Sequence, residues 1–490
     1  MGGCVAMSAS AQETKQSQDL SVELNPVVVT GTGTHHRLKD TPTPVEVVTA
    51  NDIKKAGITD FREAMTALVP SLSFSTNSMG DYLMLNGLSN KYVLILINGK
   101  KLTGDSSNNI DLNRIDMSNV KRIEVLKGAG SALYGSDAIG GVINIITNQP
   151  INDITVTSNT KVEERGQFTQ TANVDIKTEK FASYTSYQRR QADGWTLTRV
   201  DADGEARDQH DANAFYTDNY TQMFQFTPND KLSMYVEGSY YDRTVKRQPE
   251  YLKYNLTYDA YSLGAGAKYN FNKRSYIQFD IKNDNYDTNY LYTNEDGDNK
   301  VGDEVRQKRQ HYYSGNLKSL FRFTENTRTI FGVEYIQETL DRPSFNVDER
   351  AYTWATYAQE EITLFKNLQI QAGLRYVYHE TAKSNVTPKL AVMYRLGDFT
   401  IRGQYSAGFR APGLDELYKY SYSQRGTRAG TLSAGNKNLD AEKSNYGSIN
   451  LEFNKKWLTV GVTGYINELR DMIVARTVKP VSYTHLRAHE

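Results

Sequence analysis

Hydrophobic and polar residues alternate along most of the chain from about residue 151 onward. The segment 368–379 is a clear case, and residues 232–240 and 458–466 repeat its two-residue period. A period of two predicts β-strands with one apolar and one polar face. Runs of this length can cross a bilayer as tilted strands. In 368–379 the apolar face consists of Leu368, Ile370, Ala372, Leu374, Tyr376 and Tyr378.

The connections between these strands alternate between short and long. Short polar turns are expected at 178–180, 228–230, 272–273, 325–327, 366–367, 397–398 and 455–456. Longer polar segments are expected at 191–216, 244–257, 292–306, 343–350 and 413–443. An outer-membrane β-barrel has this asymmetry, with short periplasmic turns and long extracellular loops. A soluble β-sandwich or propeller is the alternative, but it has no reason to keep every second turn short.

The region before the predicted barrel has a different pattern of secondary-structure signals. Residues 45–148 combine a predicted helix at Asp60 to Val69 with buried strands and many glycines, which indicates a small α+β domain. The expected organisation is a partial signal peptide at 1–11, a leader at 12–44, the α+β domain at 45–148 and an incomplete transmembrane antiparallel barrel of roughly fifteen strands at 151–475. Residues 481–490 break the alternation and are expected to be a non-native tail.

Composition narrows the function further. The formal net charge of zero argues against a nucleic-acid partner, and the single cysteine, Cys4, excludes an intrachain disulfide. Ala9-Ser10-Ala11 resembles a signal-peptidase site, so export is expected. No apolar run reaches the length that a transmembrane helix needs.

A glycine-rich stretch, "KGAGSALYGSDAIGG" at 127–141, follows a predicted strand at Arg122 to Leu126. It raises the possibility of a nucleotide-phosphate loop. Ser136 stands where a P-loop requires lysine, and Gly128 and Gly130 are not followed by the third glycine of a dinucleotide site. The stretch is therefore expected to serve packing and sharp turns.

The same stretch carries a family resemblance. "VKRIEVLKGAGSALYGSDAIGGVINIITN" at 120–148 resembles the plug signature of TonB-dependent outer-membrane receptors, and "KYVLILINGKKL", "GFRAPGLDELY" and "GNKNLDAEKS" are similar to further family segments. The resemblance implies a plug inside a barrel of about 22 strands, so about seven strands would be missing. Plug motif residues would be Arg122, Glu124, Gly128, Gly135, Asp137, Gly140 and Gly141. Asn86 and Asn98 stand where family plugs usually carry Arg and Asp.

The resemblance also implies partners. "NPVVVTGTG" at 25–33 resembles a TonB box, in which an extended segment adds to a sheet edge of the inner-membrane protein TonB. The residues expected to bind TonB are Pro26, Val27, Val28, Val29 and Thr30. The other expected partners are outer-membrane lipid and a metal chelate.

The chelate is expected to be a ferric siderophore, with cobalamin and then haem as alternatives. Substrate contacts are expected from Ser78, Met79, Tyr82, Asp105, Ser106, Asn108, Tyr418 and Tyr420. No cofactor is expected to be required, although Asp201, Asp203, Asp208 and Asp211 could hold Ca²⁺ in a loop, as cobalamin receptors do. In haem receptors a histidine commonly lies between the two barrel segments that "GFRAPGLDELY" and "GNKNLDAEKS" resemble. Haem is disfavoured because no histidine lies between Arg410 and Asn438. A barrel enzyme is the alternative from another class, but it predicts no plug, and no catalytic motif is found.

Overall fold

The computed structural model describes residues 5–9, 26–77, 80–106, 109–200, 204–247, 252–423, 431–455 and 458–476. The strands are β1 Val5–Ala9, β2 Val27–Val28, β3 His36–Arg37, β4 Val45–Thr49, β5 Leu72–Asn77, β6 Gly80–Leu85, β7 Leu88–Ser89, β8 Val93–Ile97, β9 Lys100–Lys101, β10 Asp105–Ser106, β11 Asn109–Ile110, β12 Val120–Lys127, β13 Gly141–Thr147, β14 Ile154–Val162, β15 Phe168–Lys177, β16 Phe181–Ala192, β17 Trp195–Val200, β18 Ala206–Ala212, β19 Ala214–Asn229, β20 Leu232–Lys246, β21 Tyr254–Asn272, β22 Ser275–Tyr292, β23 Glu304–Phe321, β24 Thr327–Arg342, β25 Val347–Leu364, β26 Leu368–His379, β27 Lys383–Leu396, β28 Phe399–Arg410, β29 Tyr420–Ser423, β30 Thr431–Ala434, β31 Glu442–Lys455 and β32 Leu458–Arg470.

The helices are short. The α-helices are α1 Ala50–Lys55, α2 Phe61–Leu68, α3 Ser131–Tyr134 and α4 Leu414–Tyr418, and the 3-10 helices are Leu38–Asp40, Asn90–Tyr92, Leu112–Arg114, Met117–Asn119 and Pro343–Phe345. In the described part of the chain, none of them has the length and apolar composition to cross a membrane.

One large antiparallel sheet contains sixteen of the thirty-two strands given above. Its order is β1-β14-β15-β16-β19-β20-β21-β22-β23-β24-β25-β26-β27-β28-β31-β32, and fifteen of these strands come from residues 154–470. Strand β26 shows that the sheet has a polar inner face and an apolar outer face. Gln371 and Arg375 are buried on its inner face, whereas Leu374 and Tyr376 are about half exposed on its outer face. The predicted mostly-β barrel with apolar strand faces outward is confirmed.

The two ends of this barrel sheet differ. At one end, here called the short-turn end, neighbouring strands are joined by connections such as 178–180 and 397–398. The other, the long-loop end, contains the connections that were expected to be long. Two of these are more ordered than expected. The first contains the hairpin β17–β18, and the second contains α4 and the hairpin β29–β30.

The plug fills the interior of the barrel sheet. Its five-stranded sheet has the order β4-β12-β13-β8-β9, with β13 and β8 parallel. Helix α2 confirms the helix predicted near residues 60–69. It begins where the Asp60 side chain accepts a hydrogen bond from the Glu63 backbone N–H, and it buries Phe61 and Met65 in the plug core.

Two plug hairpins have Asn-Gly turns. Asn86-Gly87 and Asn98-Gly99 have positive φ at both positions, which tight hairpin turns require and which asparagine and glycine tolerate best. The Asn98 amide donates to the Thr147 hydroxyl at 2.8 Å and ties the turn to β13.

The plug and the barrel meet through polar contacts. The buried Asp111 carboxylate accepts hydrogen bonds from the Tyr241 and Tyr286 hydroxyls at 2.6 and 3.0 Å, and Arg243 lies 3.3 Å away. Plug Arg114 forms a 2.7 Å ion pair with Asp284 of β22. Among the described residues, each cluster of buried apolar side chains belongs either to the plug with its leader or to the barrel. Hydrogen bonds and ion pairs therefore hold the interface, together with close contacts such as that of Gly128 with the Tyr446 ring.

Candidate functional site

A cavity of about 1160 Å³ lies between the plug and the inner wall of the barrel. The plug contributes β8, β9 and the segment that precedes β10, and the wall contributes side chains of β19 to β26 and of β28. Two residues predicted to contact substrate, Tyr82 and Asp105, line it. The cavity continues to Asp415 and Glu416 of α4 at the long-loop end. A small molecule that enters at that end therefore reaches the plug.

Ion pairs cross the cavity between the plug and the barrel. Lys101 of β9 lies 2.8 Å from Asp137 of the plug and 3.2 Å from Glu338 of β24. Asp105 is paired with Lys308 of β23 at 2.7 Å. The Lys101–Glu338 and Asp105–Lys308 pairs thus join the plug to the barrel wall by charge.

Acid is expected to weaken the Lys101–Asp137 pair. Burial alone would raise the pKa of Asp137, but Lys101 and Arg410 lower it below its ordinary value of 3.8. A lowered native pKa stabilises the fold above the ordinary value, and this stabilisation is lost as the pH falls through the native pKa. Asp137→Asn should cost about 1–2 kcal/mol at pH 7, measured as the free energy of plug opening by hydrogen exchange. The difference from the parent chain should shrink below pH 4. A difference that stays constant down to pH 3 would contradict this assignment.

Aromatic and cationic side chains gather at the rim of the long-loop end. The Arg342 guanidinium carbon lies 3.7 Å from the centre of the Phe345 ring, and the Lys419 ammonium nitrogen lies 4.2 Å from the same centre. Lys437 lies 5.1 Å from the centre of the Tyr418 ring. We call Arg342, Phe345, Tyr418, Lys419 and Lys437 the rim cluster. Arg342 also pairs with Asp415, so the cluster adjoins the cavity.

Some of the predicted substrate contacts line the cavity, and others lie at the rim cluster. Tyr418 belongs to the rim cluster, and Tyr420 follows it with 55% of its surface exposed. Ser106 pairs with Asn109 in the small hairpin β10–β11. Ser78, Met79 and Asn108 lie outside the described residues. The segment 75–82 belongs to the hairpin β5–β6, in which Ser75 pairs with Tyr82 and Asn77 with Gly80.

Two of the predicted calcium ligands fall in the hairpin β17–β18. Asp208 and Asp211 are strand residues of β18, whereas Asp201 and Asp203 lie outside the described residues. Within the ranges that the structure describes, no group of three or more His, Cys, Asp or Glu side chains is arranged to hold a metal ion. The calcium site stays a prediction.

The predicted TonB box lies at the short-turn side of the plug. Val27 and Val28 form β2, as expected of an extended segment, and β2 pairs with β3 of the same chain. The buried carboxylate of Glu124 accepts hydrogen bonds from the Val29 and Thr30 backbone N–H groups at 2.9 and 2.8 Å, and from the Thr30 hydroxyl at 2.6 Å. The segment is thus docked on the plug.

Of the remaining plug motif residues, Arg122 supports this docking site, and the glycines allow sharp turns and close packing. Arg122 donates to the other oxygen of Glu124 at 2.7 Å. Positive φ occurs at Gly128 and Gly135, as expected of sharp turns. Gly140 and Gly141 are required for a different reason, because a Cβ atom would meet Leu88 or Leu85 and neighbouring backbone atoms.

Sequence reasoning missed three cations of the rim cluster and the barrel side chains that line the cavity. Arg342 immediately precedes one predicted loop and Phe345 lies within it, whereas Lys419 and Lys437 fall within another. Aromatic residues close to basic residues in both loops were the available signal. Only the structure shows that the two loops meet, where the Asn346 amide donates to the Tyr420 carbonyl.

Two family models match the chain. "TonB dependent receptor-like, beta-barrel" matches residues 165–486, and "TonB-dependent Receptor Plug Domain" matches residues 37–142. Together they cover fourteen of the sixteen strands of the barrel sheet, from β15 to β32, and most of the plug.

Individual proteins resemble the chain over most of its length. It is 25% identical to the ferric enterobactin receptor PirA of Pseudomonas aeruginosa, over 97% of this chain and 74% of that protein. It is 24% identical to the vitamin B12 transporter BtuB of Photobacterium profundum, over 93% of this chain and 72% of that protein. The solved structure of the siderophore receptor PirA from Acinetobacter baumannii superposes with a TM-score of 0.74 at 17% identity, over 87% of this chain and 71% of that one. The fold is shared.

Proposed function

The chain belongs to the TonB-dependent receptors of the outer membrane, and from that premise we propose that it takes up a ferric siderophore. The ligand would enter at the long-loop end, which is extracellular in barrels of this class. It would bind between the rim cluster and the plug surface, and TonB would drive its passage by acting on residues 26–30.

The observation that carries the substrate class is the rim cluster. Iron complexes of catecholate siderophores are anionic and expose aromatic rings. Cations at 3.7 and 4.2 Å from one phenylalanine ring form a surface that can attract the charge while aromatic residues contact the rings. The exposed Tyr420 and Tyr422 extend this surface outward. The ferric enterobactin receptor among the relatives supports the same class.

Removing one rim cation tests the proposal. Lys419→Ala should weaken binding of ferric enterobactin by about tenfold, because it removes one cationic contact from a partly desolvated surface. Titration of the purified chain by intrinsic fluorescence measures the Kd. Lys253→Ala is the matched control, since Lys253 also lies at the long-loop end but pairs with Asp296. Equal affinities of the Lys419→Ala variant and the parent chain would contradict the proposed site.

Cobalamin is the second candidate. The vitamin B12 transporters among the relatives are the observation that favours it, at 24–25% identity over most of this chain. On this alternative, Asp201, Asp203, Asp208 and Asp211 would bind Ca²⁺ and order the loop above the plug. Cyanocobalamin titrated with and without a calcium chelator separates the two candidates. Tight cyanocobalamin binding that the chelator abolishes, with no binding of ferric enterobactin, would replace the siderophore proposal.

A further inference from the structure

The cavity is not confined to the half of the barrel nearest the long loops. Gln225, Ser233 and Asn270 also line it, and each of them lies close to a short turn. The same cavity reaches Asp415 of α4 at the opposite end. One continuous space therefore follows the wall along β19 to β24, from the rim cluster into the half of the barrel nearest the short-turn end.

The Tyr235 side chain lies across the neighbouring strand in this part of the wall. Its hydroxyl donates to the Asp280 carboxylate of β22 at 2.5 Å, and the Gln278 amide donates to the other oxygen of that carboxylate at 2.8 Å. Gly266 of β21 is paired with both Tyr235 and Asp280, and a Cβ atom there would overlap both side chains. The glycine thus makes room for the tyrosine ring beside the cavity.

Two wall tyrosines in this half each have a lysine beside the ring. The ammonium nitrogen of Lys100 in β9 lies 4.3 Å from the centre of the Tyr235 ring, and that of Lys268 in β21 lies 4.0 Å from the centre of the Tyr276 ring. All four side chains line the cavity. We call Lys100, Tyr235, Lys268 and Tyr276 the inner cluster.

The two lysines of the inner cluster differ in their partners. Lys100 forms an ion pair with Glu237 of β20. In the part of the chain that the structure describes, no carboxylate forms a salt bridge with Lys268, whose ammonium group faces the Tyr276 ring. A partly buried ammonium group that lacks a carboxylate favours an anionic partner. The inner cluster therefore combines an available positive charge with two aromatic rings.

We propose that the inner cluster is a second binding site, for aromatic anions, in the short-turn half of the cavity. A catecholate chelate that leaves the rim cluster would meet the same combination there, because cations lie 4.0–4.3 Å from ring centres in the inner cluster and 3.7–4.2 Å from the Phe345 ring at the rim. The inference rests on the proposed function, since it extends the path of the same ligand class. Two similar surfaces along one cavity allow the ligand to move inward and still find a charge partner.

Photolabelling locates the site directly. The probe 4-azidosalicylate is an aromatic anion that is small enough to enter the cavity without TonB, and light attaches it covalently to the residues that it contacts. The purified full chain is illuminated with the probe, digested and analysed by mass spectrometry. We expect labels on the inner-facing residues of β20 to β22 around the inner cluster. The dependence of each label on probe concentration gives a separate Kd for each labelled place.

Three variants test the residues of the inner cluster. Lys268→Met should raise the Kd at the inner cluster by about fivefold, because it removes the cation that has no carboxylate. Tyr276→Leu should raise it to a similar extent, whereas Tyr276→Phe keeps the ring and should bind the probe as the parent chain does. Labelling of the rim cluster and the far-ultraviolet circular dichroism should stay at their parent values, which shows that the variants are folded.

Lys161→Met is the matched control. Lys161 of β14 pairs with Glu163 and is outside the set of residues that line the cavity. Its removal changes the net charge of the chain by the same amount as Lys268→Met. It should leave the Kd at the inner cluster unchanged.

Two results would overturn the inner site. One is labelling of β20 to β22 that is absent or does not saturate, and the other is a Kd that both Lys268→Met and Tyr276→Leu leave at the parent value. Neither result depends on a siderophore. Failure of the siderophore proposal would appear as absent binding in the ferric enterobactin titration and leave the photolabelling result standing, so the two failures are distinguishable.

Discussion

Replacing Asp111 by alanine is expected to destabilise the plug inside the barrel by about 3 kcal/mol, because it leaves Arg243 without a carboxylate. The Tyr241 and Tyr286 hydroxyls lose their shared acceptor at the same time. Hydrogen exchange of plug amides in detergent micelles measures the free energy of opening. Protection of the plug should fall by about a hundredfold, whereas protection of β24 to β28 should be unchanged.

The reason for this loss can be tested separately. Tyr241→Phe removes one hydrogen bond and should cost only about 1 kcal/mol. Adding Arg243→Met to Asp111→Ala removes the uncompensated charge, so part of the lost protection should return. Asp230→Ala, at an exposed position in a short turn, is the control for loss of a carboxylate alone. A double variant that is no more stable than Asp111→Ala would show that the charge of Arg243 is not the cause.

Gly128→Ala is expected to displace the plug from the opposite wall. Gly128 has a φ of +87°, and a Cβ atom built there overlaps the ring of Tyr446 in β31. The left-handed backbone costs an alanine about 1–2 kcal/mol, and the overlap adds about 1–3 kcal/mol. The summed effect of about 2–5 kcal/mol should appear as lost protection in β12 and β13.

Gly99→Ala separates the two contributions. Gly99 has nearly the same φ, +80°, but a Cβ atom there meets nothing within 4 Å. Gly99→Ala should therefore lose only the about 1–2 kcal/mol that the left-handed backbone costs an alanine. Combining Gly128→Ala with Tyr446→Ala removes the overlap, so the two changes should cost less together than the sum of their separate effects. Strict additivity would exclude the Tyr446 ring as the source of the strain.

The barrel was predictable because its signal is local. Each strand shows its two faces within about ten residues, and β26 begins and ends at the residues that the alternation predicted. The helix near Asp60 was predictable for the same reason, since its cap and its apolar spacing are close in sequence. The family assignment rested on a long motif within one segment and is confirmed.

The site was less predictable because its contacts are remote in sequence. Lys389 and Gly31 are 358 residues apart, and no pattern in either segment indicates that they meet. Glu124 was assigned to the plug motif, but its role in binding Val29 and Thr30 depends on how the leader enters the barrel. The rim cluster likewise requires two loops to touch.

The separation of apolar clusters between plug and barrel has a thermodynamic consequence. Movement of the plug along the wall exposes carboxylates, hydroxyls and ammonium groups, which water solvates, and leaves the apolar core of the plug closed. Hydration of polar surface lowers the heat capacity, whereas hydration of apolar surface raises it. Displacement of an intact plug should therefore have a much smaller heat-capacity change than unfolding of the plug, which exposes the apolar plug core. Calorimetry can thus distinguish a plug that moves as a folded unit from a plug that unfolds.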